Sequence, residues 1–188
     1  MTVGGLLLFH GAGGDRDHRL FLALEDQLGI PVARCNFPYR DKGPGRRPPD
    51  RMPKLIDSIN SHVADHASEW NVAPERLVVG GRSMGGRAAS MAIAEGLSVA
   101  GLVLLSYPLH PPGKPEKLRT EHLSEVTVPT LLVQGHSDPF GKQPEFDQHF
   151  TTFGGPLTQV WLEKTGHDPK EKHDDAIVEA TRVFLDLF

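Results

Sequence analysis

The stretch Leu77-Val78-Val79-Gly80-Gly81-Arg82-Ser83-Met84-Gly85-Gly86 decides how the rest of the chain is read. Leu77 to Gly80 is a short apolar run of the kind that forms a strand buried on both faces. It leads straight into Gly81-Arg82-Ser83-Met84-Gly85, a G-x-S-x-G pattern, and a helix is expected from there to about Glu95. Strand, sharp turn and helix, in that order, are the setting in which this pattern makes a nucleophile elbow, with the serine hydroxyl raised above the end of a sheet. Gly81 and Gly85 then stand where a Cβ would crowd the serine, and Gly86 lets the helix pack closely on the sheet. The helix N-terminus brings the positive end of its dipole to the same place. The plainer reading of the same residues is a glycine-rich turn with Ser83 as an N-cap.

Outward from this turn, short apolar runs alternate with longer amphipathic ones. Leu6–Phe9, Val32–Phe37, Leu77–Gly80, Gly101–Leu105, Thr130–Gln134 and Gln159–Leu162 read as strands. Helices are expected at about His18–Leu28, around Leu55–Val63, at Pro144–Phe153 and at Asp174–Leu187, with loops over Pro38–Pro53 and Pro108–Pro115. Continuous apolar strands separated by helices imply a parallel sheet covered on both faces. In such sheets ligands bind beyond the carboxyl ends of the strands. The length of 188 residues suits one domain over 1–188, and no repeat or linker interrupts it.

A serine hydroxyl is a weak nucleophile without a base beside it. The fifth strand ends in Gln134-Gly135-His136-Ser137-Asp138-Pro139-Phe140-Gly141 and the sixth in Glu163-Lys164-Thr165-Gly166-His167-Asp168. Asp138 and His167 therefore follow Ser83 in the chain order nucleophile, acid, base that this kind of sheet uses. The chain has 10 histidines, so others compete. His136 lies on the wrong strand for the base. His173, just before the last helix, is the runner-up and reads equally as a capping or exposed residue. His10 reads as structural, and Asp168, adjacent to His167, is not favoured as the acid. His62 and His66 are spaced i, i+4 on a helix that offers no third ligand, so they read as a solvated face and no metal site is expected.

The first strand ends in His10-Gly11-Ala12-Gly13-Gly14-Asp15. A glycine-rich loop here can aim a backbone N–H at an oxyanion, with Met84, the residue after the nucleophile, giving the second donor. Ala12 is the preferred first donor and Gly13 the alternative. Glycine-rich turns also cradle phosphates, but the chain has neither G-x-G-x-x-G nor a Walker Lys-Ser/Thr pair.

These motifs, His10-Gly11-Ala12-Gly13-Gly14, Gly81-Arg82-Ser83-Met84-Gly85-Gly86, Ser137-Asp138-Pro139-Phe140-Gly141 and Gly166-His167, resemble those of compact α/β-hydrolases of the KANL3/Tex30-like group, close to the dienelactone hydrolases. The resemblance covers nearly the whole chain. It implies Ser83 as nucleophile, Asp138 as acid and His167 as base, with the early glycine-rich loop and Met84 as oxyanion hole. It also implies an α/β-hydrolase fold without the first two strands of larger relatives. That leaves a minimal, mostly parallel sheet of six strands, in the order second, first, third, fourth, fifth, sixth. The segment Tyr107–Pro129 is too short for a helical cap, so a shallow, open pocket is expected.

The reading that results is a serine hydrolase cleaving small esters or thioesters through an acyl-enzyme. Acyl transfer and perhydrolysis share that intermediate. The competing class is a hydrolase-like binding module or complex subunit, and the complete set of Ser83, Asp138 and His167 favours the enzyme. No cofactor is expected, and the partner is a small acyl substrate. The net charge of -4 offers no pull toward nucleic acid or anionic membrane. Cys35 is the single cysteine, read as a buried strand thiol; it permits no internal disulfide, and the start Met1–His10 makes a poor signal peptide. A cytoplasmic location is therefore expected. From Arg34 to Lys54 there are seven basic and two acidic residues, a local balance of +5. Together with Arg82 and Arg87 this reads either as a preference for anionic substrates or as an ordinary solvated loop. Phe37, Tyr39 and Phe140 read either as the lining of an acyl pocket or as core and loop anchors.

Overall fold

The computed structural model of the chain describes residues 2–42, 45 and 47–188. The first residue of the expected start, Met1, and Gly43, Pro44 and Arg46 of the basic loop lie outside the described residues. In chain order the elements are β1 (Gly5–Phe9), α1 (Arg19–Gln27), β2 (Val32–Cys35), α2 (Pro38–Asp41), α3 (Met52–Glu69), β3 (Leu77–Arg82), α4 (Met84–Ala94), β4 (Gly101–Leu105), β5 (Thr130–Gly135), α5 (Gln143–His149), β6 (Leu157–Leu162) and α6 (Asp174–Leu185).

The six strands form one sheet in the order β2-β1-β3-β4-β5-β6, and all five pairings are parallel. The expected "mostly parallel" sheet is thus wholly parallel among the described residues. Side chains alternate across it, and the two faces build two cores. Leu7, Phe9, Val79, Leu102, Leu104 and Leu132 point to the face covered by α3, α4 and α5. Leu6, Leu8, Val78, Val103, Leu131 and Val133 point to the face covered by α1 and α6. Each fully buried leucine stabilises the fold by about 1.5–3 kcal/mol relative to exposure, which is why β1, β3 and β4 carry no polar side chain until they reach the carboxyl end of the sheet.

The α3 helix shows how the amphipathic pattern is used. Leu55, Ile56, Ile59, Val63 and Ala67 are buried on one side, and Pro53 sits in the first turn, where its missing N–H costs nothing. The α1 helix starts where the His18 ring accepts a hydrogen bond from the Leu20 N–H at 3.3 Å.

The structure departs from the sequence reading in two of these elements. The second strand ends at Cys35 rather than Phe37, because Pro38 opens the short helix α2 inside what read as a loop. The helix expected over Pro144–Phe153 is split into α5 and a 3₁₀ turn at Phe150–Thr152. The connection from β4 to β5 holds one 3₁₀ turn, Leu123–Glu125, and no α-helix. The carboxyl ends of the strands therefore have no helical cap among the described residues.

Candidate active site

Ser83 stands between β3 and α4 with φ 52 and ψ −116, a conformation that non-glycine residues rarely adopt. The surroundings over-determine it. The Ser83 N–H donates to the Leu105 carbonyl at 2.9 Å, and its carbonyl accepts from Arg87 at 3.0 Å. Gly85 allows the turn to press on β1, since a Cβ there would lie 2.1 Å from the Phe9 carbonyl oxygen and 2.7 Å from that of His10. Ser83 occupies the N-cap position, yet its hydroxyl makes no capping hydrogen bond. It lies 2.8 Å from Nε2 of His167 instead. The capping reading of Ser83 is thereby set aside: the side chain is turned away from the helix and toward the His167 ring.

The loops that carry Asp138 and His167 are tied to each other. Ser137 donates its N–H to the Thr165 carbonyl at 2.8 Å, and His136 donates to Leu162 at 3.1 Å. Gly135 makes the crossing possible, because a Cβ there would meet the Thr165 oxygen at 2.3 Å. Asp138 is fully buried. Its Oδ2 lies 2.8 Å from Nδ1 of His167 and accepts from the Gln134 side-chain amide at 2.7 Å, while Oδ1 accepts from the Phe140 N–H at 2.8 Å. A carboxylate with donors on both oxygens can remain charged without water. It fixes the His167 tautomer with the proton on Nδ1, leaving Nε2 to accept from Ser83.

Two further residues hold His167, and neither was singled out for this role from the sequence. Phe140 stacks on the imidazole with ring centroids 4.1 Å apart. Arg82 donates to the His167 carbonyl at 3.1 Å and pairs with Asp168 at 2.9 Å. Gln134 is the third supporting residue. Its signal was available: it is a polar residue at the end of the otherwise apolar run Leu131-Leu132-Val133.

The first loop reaches the same place. A Cβ on Gly11 would lie 3.5 Å from the Ser83 Cβ, so this loop runs against the elbow. Ala12 is exposed, its carbonyl accepts from the Tyr39 hydroxyl at 3.0 Å, and its N–H has no acceptor among the described residues. Met84 is the first residue of α4, where an N–H has no partner within the helix. His10 is structural: it is buried, its Nε2 accepts from Phe37 at 3.1 Å, and burial holds its pKa below the ordinary value.

The competing residues go elsewhere. His136 pairs with Glu163 at 3.1 Å and His173 bonds the Thr165 hydroxyl at 2.8 Å. Phe37 and Tyr39 are core residues. Within the basic segment, Arg34 is paired with Asp17 and Glu25, Arg40 with Asp15 and Lys54 with Asp50. Arg40 and Arg47 nevertheless line a cavity of about 930 Å³ beside Ala12 and Gly13. One expectation needs correction. His62 and His66 are half-buried rather than a solvated face, and the fold brings Cys35 beside them as a third potential ligand. Helical spacing could not reveal a neighbour contributed by a strand. No described helix is long and apolar enough to cross a membrane.

A family model described as an alpha/beta hydrolase domain matches residues 3–182. Among solved structures, the chain is similar to Est1E from Butyrivibrio proteoclasticus with ferulic acid bound (TM-score 0.80, 17% identity, covering 99% of this chain and 89% of that one). It is also similar to dienelactone hydrolase from Anabaena variabilis (TM-score 0.77, 18% identity, 100% and 87% covered). A third is the monoacylglycerol lipase of Paleococcus ferrophilus (TM-score 0.77, 15% identity, 98% and 95% covered). At these identities the likeness is one of fold.

Proposed function

The chain belongs to the α/β-hydrolase family, and on that premise we propose that it is a serine hydrolase cleaving small esters or thioesters through an acyl-enzyme. One observation carries the reading: the strained Ser83 presents its hydroxyl 2.8 Å from His167 Nε2, and His167 Nδ1 lies 2.8 Å from the buried Asp138. Ser83 Oγ attacks the acyl carbonyl while His167 takes its proton. Asp138 holds the imidazole and stabilises the imidazolium. The N–H groups of Met84 and Ala12 receive the oxyanion, each such donor being worth about 10²–10³ in rate. His167 returns the proton to the leaving group, and water then deacylates Ser83 with His167 again as base.

The absence of a helical cap among the described residues favours small or well-exposed acyl groups. A monoacylglycerol lipase and a dienelactone hydrolase among the proteins of similar fold are in keeping with this reading. An anionic substrate preference rests mainly on Arg47 at the cavity rim, since its neighbours Arg34, Arg40 and Lys54 are already paired. A neutral ester compared with its carboxylate-bearing analogue tests that point. A place in the KANL3/Tex30-like group, action as one domain in the cytoplasm, and independence from nucleic acid and membrane complete the reading.

The decisive experiment is fluorophosphonate labelling of the purified protein, with the labelled peptide located by mass spectrometry. Label on Ser83 that is absent from Ser83→Ala is expected. Folded protein that takes no label would sink the enzyme reading in favour of a binding module.

A further inference from the structure

At the β2 edge of the sheet, three side chains of metal-binding type meet outside the Ser83 site. Cys35 is the last residue of β2 and its thiol is buried. His62 and His66 lie one turn apart on α3, which shares a core with the end of that strand. One donor atom from each residue lies within 4.8 Å of the other two.

The histidines are oriented as ligands. His66 Nδ1 is 2.8 Å from the His62 carbonyl oxygen, to which it donates, so Nε2 keeps its lone pair. His62 Nε2 is 3.3 Å from the Asn36 carbonyl oxygen, which leaves Nδ1 as its acceptor. A backbone carbonyl thus fixes the tautomer of each ring and frees the other nitrogen, as outer partners do in metal sites. Burial lowers the His62 pKa and keeps the ring in the neutral form a metal requires. The Cys35 thiol has only a weak contact, 3.8 Å to the Ala33 carbonyl, and burial pushes it up to about 12.

We propose that Cys35, His62 and His66 bind one divalent transition-metal ion of the zinc type, with water in the fourth position. Bonds of about 2.3 Å to sulfur and about 2.0 Å to nitrogen set tetrahedral donor separations of about 3.3–3.7 Å, so the side chains draw in by about 1 Å on binding. Such an ion ties α3 to the end of β2. The chain just beyond Cys35 holds the first loop, through the Phe37 N–H on His10 Nε2 at 3.1 Å.

The test uses untagged full-length protein, stripped with chelator and titrated with Co²⁺. One equivalent is expected to bind with tetrahedral visible bands and a thiolate charge-transfer band. Zn²⁺ should displace it and raise Tm. Cys35→Ser should lose the charge-transfer band. His66→Gln, at a half-buried helix position that tolerates the change, should weaken binding by at least about tenfold and abolish the Tm rise. If Cys35→Ser does not fold, His66→Gln decides alone. Folded protein without a thiolate band, or equal binding by wild type and His66→Gln, overturns the site and leaves only surface histidines as ligands.

Discussion

Gln134 donates its side-chain amide to Oδ2 of Asp138 at 2.7 Å, the same oxygen that lies 2.8 Å from His167 Nδ1. The amide oxygen of Gln134 is buried without a partner among the described residues. An unsatisfied buried acceptor costs about 1–3 kcal/mol, so Gln134 is a poor choice for stability and a good one for holding a carboxylate. Gln134→Leu keeps the volume, removes the orphaned oxygen and leaves Asp138 one donor short. It should lower kcat by about 10–100-fold, the value of one hydrogen bond to a charge, with KM unchanged. Thermal stability should stay within about 1 kcal/mol of wild type. Steady-state kinetics on a p-nitrophenyl ester beside a melting curve checks this. Unchanged kcat, or an activity loss that merely tracks unfolding, would show Gln134 to be packing alone.

Asp138→Asn separates charge from shape. The side chain keeps its place, but an amide cannot favour the Nδ1–H tautomer of His167 or offset its charge when protonated. The expected fall in kcat is about 10³–10⁴, with a matching slowdown in fluorophosphonate labelling of Ser83. Labelling at the wild-type rate would mean that Asp138 does not support His167.

Two glycines near the site should respond differently to the same substitution. A Cβ on Gly85 would lie 2.1 Å from the Phe9 oxygen and 2.5 Å from the Phe9 carbonyl carbon, backbone atoms of the strand next to β3. Gly85→Ala should therefore push α4 off β1 and destabilise by about 3 kcal/mol, lowering Tm by about 6–12 °C. Gly13 has nothing within 4 Å of its Cβ position, so Gly13→Ala should leave Tm nearly unaltered. Calorimetry on both variants decides. Equal Tm values would mean that the elbow does not depend on the β1 contact.

How far the sequence reached follows from the range of each signal. The strand runs were legible because a buried parallel strand carries its burial in consecutive residues, as in Gly101–Leu105. The meeting of Ser83, Asp138 and His167 was legible because each sits just past a strand in a fixed order. The support around them was harder to see. Phe140 on His167, Arg82 on the His167 carbonyl and Cys35 beside His62 are all contacts between distant parts of the chain, and no local periodicity encodes them. The short helix at Pro38–Asp41 was hidden by the surrounding prolines and glycines, which read as a loop even though one proline sits at a helix start. The basic segment read two ways for a related reason. Arg34 and Arg40 are offset by Asp15, Asp17 and Glu25, which lie upstream of the segment in sequence and beside it in space.

The response to acid should be set partly by His122. Burial is the main cause that takes its pKa from the ordinary 6.5 down to about 4, the Arg87 charge adds to this, and Glu121 opposes it. The ring is held neutral: Ser90 donates its hydroxyl to the Arg87 carbonyl at 2.8 Å, so its oxygen accepts from His122 Nε2, also at 2.8 Å. Because the folded pKa lies below the unfolded one, the unfolded chain binds more protons between these values. The stability from neutral His122 is fully present above pH 6.5, is lost as pH falls toward about 4, and changes no further below that. Because the ring is partly exposed and solvent screens the effect, the loss should be on the order of 2 kcal/mol, or about 4–8 °C in Tm. His10, His18 and His62 are lowered in the same direction, so the wild-type slope alone does not isolate one group. His122→Gln keeps an N–H for Ser90 and removes the titration. Melting curves from pH 7 to pH 4 should fall less steeply for this variant than for wild type. Parallel curves would mean that His122 is protonated in the folded protein at no cost, and that the slope belongs to the other histidines.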